Sequence, residues 1–158
     1  MSHILNIRRA SPAEAPALTE IAHEAKRHWG YPEEWIELWR NALTLTRGYL
    51  INHEVFVGEY ENQIVGFYAL TPAETAWELD HLWIRPVFMG RGFGRAMLDH
   101  AVGQVRTLSP GCDLVIESDP NAEQFYLKMG AERAGEVSKN WQGVQRTLPL
   151  LRFRAEVS

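Results

Sequence analysis

Apolar and polar positions along this chain change their period several times, and each change marks an element. Residues 4–9 read as a short strand. Ser11-Pro12-Ala13-Glu14 is a helix start: a capping hydroxyl, a proline at the first helical position and a glutamate at N3. Ala17, Leu18, Ile21, Ala22 and Ala25 then share one helical face, and the helix ends near Trp29-Gly30. A second proline-led helix begins at Pro32, with an aromatic face built on Trp35, Ile36, Leu38 and Trp39, and a helical turn is expected over 46–52. Residues 55–60 and 64–70 are two strands joined by the polar turn Glu61-Asn62-Gln63. Residues 77–85 make a third strand, ended by Pro86, since proline cannot donate to a ladder. With 4–9 these strands form an antiparallel half-sheet. Ala96, Met97, Leu98, Ala101, Val102 and Val105 return to helical spacing over 91–107. The strand at 114–117 follows that helix, so it should lie parallel to the strand ending at Arg85 through a right-handed crossover. Asp119 and Pro120 open a further short helix and Gly130 stops it. Residues 131–137 and 146–153 read as a closing pair of strands.

The expected fold is therefore α/β (α+β), a mixed and mostly antiparallel sheet flanked by helices. At 158 residues it should be one domain over 1–158, long enough to bury a core. A net charge of −4 with scattered basic residues gives no electrostatic basis for nucleic acid as a partner. A single cysteine, Cys112, excludes an intramolecular disulfide, and the histidines show no ligand spacing, so no metal is expected. The chain has no apolar signal core and no stretch of the roughly 18 apolar residues a membrane helix needs. A cytoplasmic protein without membrane contact is the expectation. The apolar strand at 148–153 could pair across a homodimer.

Mid-chain the pattern breaks into Met89-Gly90-Arg91-Gly92-Phe93-Gly94-Arg95, where strand becomes helix. Glycine lets a backbone pass close to a ligand and take φ > 0 at little cost. Amides at the start of the next helix then form an anion site, with Arg91 and Arg95 adding positive charge. A pyrophosphate cradle follows, although a tight turn that only caps a helix looks similar. A dinucleotide fingerprint needs Gly-x-Gly-x-x-Gly after a first strand; here the glycines run Gly-x-Gly-x-Gly. A P-loop needs Gly-Lys-Ser/Thr, and none follows.

The segment 89–94 resembles the pyrophosphate loop of the GNAT superfamily of N-acetyltransferases, Arg/Gln-x-x-Gly-x-Gly/Ala, with Met89 where the family has Arg or Gln. A second stretch, Ser118-Asp-Pro-Asn121-Ala-Glu-Gln-Phe-Tyr126-Leu-Lys-Met-Gly130-Ala, is similar to the superfamily's late motif. Together they cover about 55–137. The resemblance implies acetyl-CoA as co-substrate. It implies main-chain contacts from Leu82, Trp83 and Ile84 to the acetyl and pantetheine part, pyrophosphate contacts from Gly90, Arg91, Gly92, Gly94 and Arg95, and a pantetheine contact from Asn121. It also implies an acceptor pocket near the first two helices, for which Trp29 and Tyr31 are the candidates. Trp35 and Trp39 belong to the same aromatic set, and all four rings would equally suit a core.

The chemistry sets the remaining roles. An amine with a lysine-like pKa of about 10.4 must lose a proton before it attacks. The thioester oxygen gains negative charge and needs a donor, and the departing thiolate needs a proton. Tyr126 matches the family's general acid, with packing as the plainer role. Glu78 stands at the spacing of a glutamate base in the histone-acetyltransferase branch, eleven residues before Met89 by numbering (89 − 78). Asp80 follows on the same strand face and His81 on the opposite one. A solvated carboxylate, or a base acting through water, fits the same residues. The expected activity is direct attack of a primary amine of unknown identity on acetyl-CoA in a ternary complex. The alternative is a non-catalytic acyl-CoA sensing module.

Overall fold

The computed structural model describes residues 4–155. Its seven strands are β1 (Asn6–Arg9), β2 (Glu54–Tyr60), β3 (Gln63–Pro72), β4 (Trp77–Ile84), β5 (Leu114–Glu117), β6 (Glu132–Trp141) and β7 (Val144–Phe153). Its helices are α1 (Ala15–His28), α2 (Glu33–Leu38), α3 (Arg47–Asn52), α4 (Phe93–Leu108) and α5 (Glu123–Lys128). The strands hydrogen-bond in the order β1-β2-β3-β4-β5-β7-β6. β1 runs antiparallel to β2, and β7 is antiparallel to both β5 and β6. β4 and β5 are parallel, as the crossover predicts, pairing Trp77 with Leu114 and Glu78 with Val115.

The chain forms two compact units. The first comprises the residues up to Ala69 and His81–Leu98. Its entry helix carries the expected capping box, with Ser11 N donating to the Glu14 carboxylate at 2.7 Å. Residues Pro12–Glu14 nevertheless form a 3-10 turn ahead of α1. The reason is Pro16, which has no N–H to give to Pro12 at the α-helical spacing, so Ala15 N bonds that carbonyl instead. Leu18, Ile21, Ala22 and Ala25 of α1 are buried, as are Val55, Val57, Val65 and Phe67 of β2 and β3. The β2–β3 turn places Glu61 (φ 50°) and Asn62 (φ 64°) in the left-handed region, the backbone of a two-residue hairpin matched to strand twist. Thr46 caps α3, its hydroxyl accepting from Tyr49 N at 3.0 Å.

The second unit comprises Leu70–Asp80 and the residues from Asp99 onward. Leu114, Ile116, Leu148 and Leu151 supply buried positions on β5 and β7. β6 and β7 extend past the expected limits to meet at a turn through Gln142 (φ 50°) and Gly143 (φ 92°). The extension was unreadable because this part of β6 buries no face, so no apolar alternation marks it. One expectation is corrected. β7 pairs with β5 over 150–153 and with β6 on its other side, so that stretch has no free edge to offer a second copy; β6, not β7, stands at that end of the strand order.

Candidate active site

The glycine loop lies in the first unit. β4 ends, a 3-10 turn runs over Pro86–Phe88, and Gly90 (φ 77°) and Gly92 (φ 82°) both turn left-handed. Ala96 N bonds Gly92 O at 3.1 Å and starts the α4 ladder. The amides of Phe93, Gly94 and Arg95 therefore stand in the first turn, where a helix has no internal acceptors for them. A Cβ added at Gly90 or Gly92 would meet nothing within 4 Å, so these glycines serve backbone conformation and the space beside them is open. Arg95 is exposed in the same turn. Arg91 lies over the ring of Tyr60, its guanidinium carbon 4.9 Å from the centroid, and near Phe93 (5.4 Å) and Phe88 (5.6 Å). One of its amino groups donates to the Tyr60 hydroxyl at 3.2 Å. The rings tether the guanidinium at the loop. First-turn amides without acceptors inside the helix, open space beside the glycines and two arginines fit a diphosphate.

On β4, Leu79 and His81 are buried, Asp80 between them is exposed and Glu78 is half-buried. This alternation puts Glu78 and Asp80 on one face and His81 on the other. Burial pushes the Glu78 carboxyl above the ordinary carboxylate range, the like charges of Glu117 and Asp80 push it further, and Lys139 pulls it back. Lys139 itself pairs with Glu117 at 2.9 Å. A carboxyl tuned upward is better matched to taking a proton near neutrality. His81 accepts at Nδ1 from the indole N–H of Trp83, 2.9 Å away. An indole only donates, so Nδ1 carries the lone pair and the proton sits on Nε2. That lone pair is occupied, which leaves His81 poorly placed to act as a base.

Tyr126 of α5 is buried, and burial, followed by the charge of Asp119, pushes its phenol well above the usual tyrosine value. It holds its proton at neutral pH, as an acid must. Asp119 caps the adjacent turn, accepting from Asn121 N at 2.9 Å and from the Asn121 side-chain amide at 3.0 Å. The Asn121 side chain thus bonds its own turn, a contact the sequence did not reveal.

The family described as acetyltransferase (GNAT) domain matches residues 52–130. The chain belongs to the GNAT superfamily of N-acetyltransferases. It is 30% identical over 121 residues to peptidyl-lysine N-acetyltransferase YjaB of Salmonella typhimurium, covering 65% of this chain and 78% of that protein. Its fold matches a GCN5-related N-acetyltransferase from Rhodopseudomonas palustris with a TM-score of 0.80 at 18% identity, over 98% of each chain. It also matches yncA of Salmonella typhimurium, solved with acetyl-CoA, with a TM-score of 0.69 at 19% identity, over 98% of this chain and 96% of that one.

Within this GNAT acetyltransferase the aromatic residues around α1 and α2 divide. Trp29 is 37% exposed and meets only the edge of His28 among the ring contacts described. Tyr31 stacks on Trp35 and meets Trp39 edge-on. The rings of Tyr31, Trp39 and Trp83 surround the ammonium of Lys26, at 4.8, 4.5 and 6.0 Å from their centroids. Lys26 is only 8% exposed. Sequence reading missed this lysine, although a signal existed: it stands at i+8 from Leu18 and i+4 from Ala22, on the buried stripe of α1. Leu82, Trp83, Ile84, Gly90, Arg91, Gly92, Gly94 and Arg95 fall in the first unit, with Trp29 and Tyr31; Glu78, Asp80, Asn121 and Tyr126 fall in the second. Among the described residues no group of three or more His, Cys, Asp or Glu could hold a metal ion, and no helix is long and apolar enough to cross a membrane.

Proposed function

We propose that this GNAT protein transfers the acetyl group of acetyl-CoA to a primary amine by direct attack in a ternary complex. The observation that carries the reading is the loop itself: two left-handed glycines open beside the first-turn amides of α4. Gly90, Arg91, Gly92, Gly94 and Arg95 bind the diphosphate through main-chain N–H groups and the two guanidiniums. Bound acetyl-CoA supplies an activated acyl group on sulfur. The amides of Leu82, Trp83 and Ile84 hold the acyl and pantetheine part, one of them donating to the oxygen that gains charge. Asn121 contacts the pantetheine.

Glu78 takes the proton from the incoming ammonium, directly or through water, with Asp80 adding negative charge on the same strand face. Tyr126 gives its proton to the departing sulfur. Trp29 and Tyr31 line the acceptor side. The acceptor is an amine of a peptide or protein or of a small molecule; the peptidyl-lysine activity of the YjaB relative favours the first. Thiol release from acetyl-CoA, followed across amino acids, peptides and polyamines, tests the reading. Release with at least one class, and a fall in kcat of about a hundredfold in Tyr126→Phe, is expected. Tight CoA binding with no release across the panel would favour a sensing module instead.

A further inference from the structure

Gly66 is buried in the middle of β3 and keeps an ordinary strand backbone, so its lack of a side chain serves space and not conformation. A Cβ built there would stand 2.5 Å from the carbonyl oxygen of Trp83, 2.6 Å from Ile84 Cδ1 and 3.3 Å from Ile84 Cα. In a regular ladder a Cβ rises out of the sheet while the neighbouring strand's carbonyls stay in its plane. The Trp83 carbonyl therefore leans out of the ladder, over the position where any other residue would put its Cβ. Glycine within a strand commonly marks such a close backbone approach.

The displaced stretch is held from its other sides as well. The Trp83 indole donates to His81 and its ring lies over Lys26. Just beyond it, Arg85 N donates to Val65 O at 2.8 Å, and the Arg85 guanidinium donates to Ile64 O at 3.0 Å and to Glu24 at 3.1 Å. A segment fixed by so many contacts from β3 and α1 is one whose main-chain orientation matters.

We infer that Gly66 is a positioning residue of the acyl-transfer site. By carrying no Cβ, it lets the main chain of β4 at Trp83 and Ile84 sit displaced, in the orientation that presents the amides of 82–84 to the thioester. This rests on the function proposed above. It adds a residue on β3 that touches neither co-substrate nor acceptor.

The two close atoms make the inference testable. Ile84 Cδ1 is the end of a flexible side chain and is absent from valine; the Trp83 oxygen is main chain and no substitution removes it. Gly66→Ala and Gly66→Ala/Ile84→Val are compared with wild type in the full chain, with CoA affinity from calorimetry and kcat and KM for acetyl-CoA from thiol release. The double variant should still bind CoA, because the diphosphate loop at 89–95 is untouched, with its affinity lowered only as far as the moved amides of 82–84 weaken the hold on the pantetheine. Its kcat/KM for acetyl-CoA should stay about tenfold low, since small misplacements of positioning groups are costly. Recovery of wild-type kcat/KM in the double variant would mean that Gly66 only made room for Ile84, and would overturn the inference. Should the alanine variants fail to fold, Trp83→Phe loosens the same stretch from the other side by deleting the bond to His81. A severalfold fall in kcat/KM with CoA still bound is expected, and an unchanged kcat/KM overturns the inference. A wild-type protein that binds CoA but releases no thiol with any amine sinks the transfer reaction and this inference together.

Discussion

From Trp77 to Asp80, β4 presents side chains with chemistry of their own: a half-buried carboxyl at Glu78 and an exposed one at Asp80. From His81 to Ile84 the same strand presents main chain under the proposed function, and its side chains serve as struts, Trp83 on His81 and over Lys26. The first stretch depends on local spacing and charge. The second depends on residues far away in sequence, because main-chain orientation is set by whatever packs around it. Under the proposed function one strand holds a reactive group in one half and a geometric template in the other, and the two should respond differently to substitution.

The sharpest break between them is Glu78→Gln. Under the proposed mechanism kcat falls about a hundredfold, measured by thiol release at saturating acetyl-CoA. Stability should move the other way. A carboxyl raised by burial binds its proton more tightly folded than unfolded, so its contribution is lost as pH rises from the ordinary carboxylate value through the raised one. Glutamine escapes that loss, and Tm at neutral pH should rise. A variant that keeps its kcat would remove Glu78 from the mechanism.

Lys26→Met tests the strut half. Removing an ammonium held against three rings should lower unfolding stability by about 2 kcal/mol, read by urea denaturation, while Lys26→Arg keeps most of it. An unchanged denaturation midpoint in the methionine variant would mean that the ring box contributes nothing. The pH profile separates the halves more finely. In wild type the acid limb of kcat/KM should lie above the ordinary glutamate value of about 4.3, and in Glu78→Gln that limb should vanish. A limb that persists unshifted would assign it to another group. The smallest effect is expected for Asp80→Asn. Asp80 is exposed and acts on Glu78 only as a like charge, so the acid limb should move slightly downward with kcat nearly kept. A loss matching that of Glu78→Gln would make Asp80 the base.

The same division explains what could be read without coordinates. The turns at Gly90 and Gly92 and the helix after them were legible, because left-handed turns and helix starts are coded by adjacent residues. The succession of strands and helices was legible for the same reason, but the polar far half of β6 and β7 and the place of β7 between β5 and β6 were not. Glu78 stood out through the spacing that the family resemblance implies, and Asp80 through alternation, but the upward tuning of Glu78 was not legible, since Glu117 and Lys139 come from β5 and β6. Gly66 looked like an ordinary strand residue between Val65 and Phe67. Its meaning lies in Trp83, on another strand. Lys26 drew no reading from the sequence, because the rings of Tyr31, Trp39 and Trp83 that surround it come from other elements. The bond from the Asn121 side-chain amide to Asp119 was not legible, since it depends on how the turn folds.

The placement of β7 between β5 and β6 has a consequence for biosynthesis. Ribosomes deliver β5 and β6 before β7, yet neither can close its ladder until Val144–Phe153 emerges. During that interval the nascent chain shows an unpaired parallel-sheet margin, the kind of surface that chaperones cover and that other nascent chains can join. A nonsense codon between residues 118 and 143 would make that exposure permanent, so truncated products should precipitate even though every residue of the glycine loop has already been made.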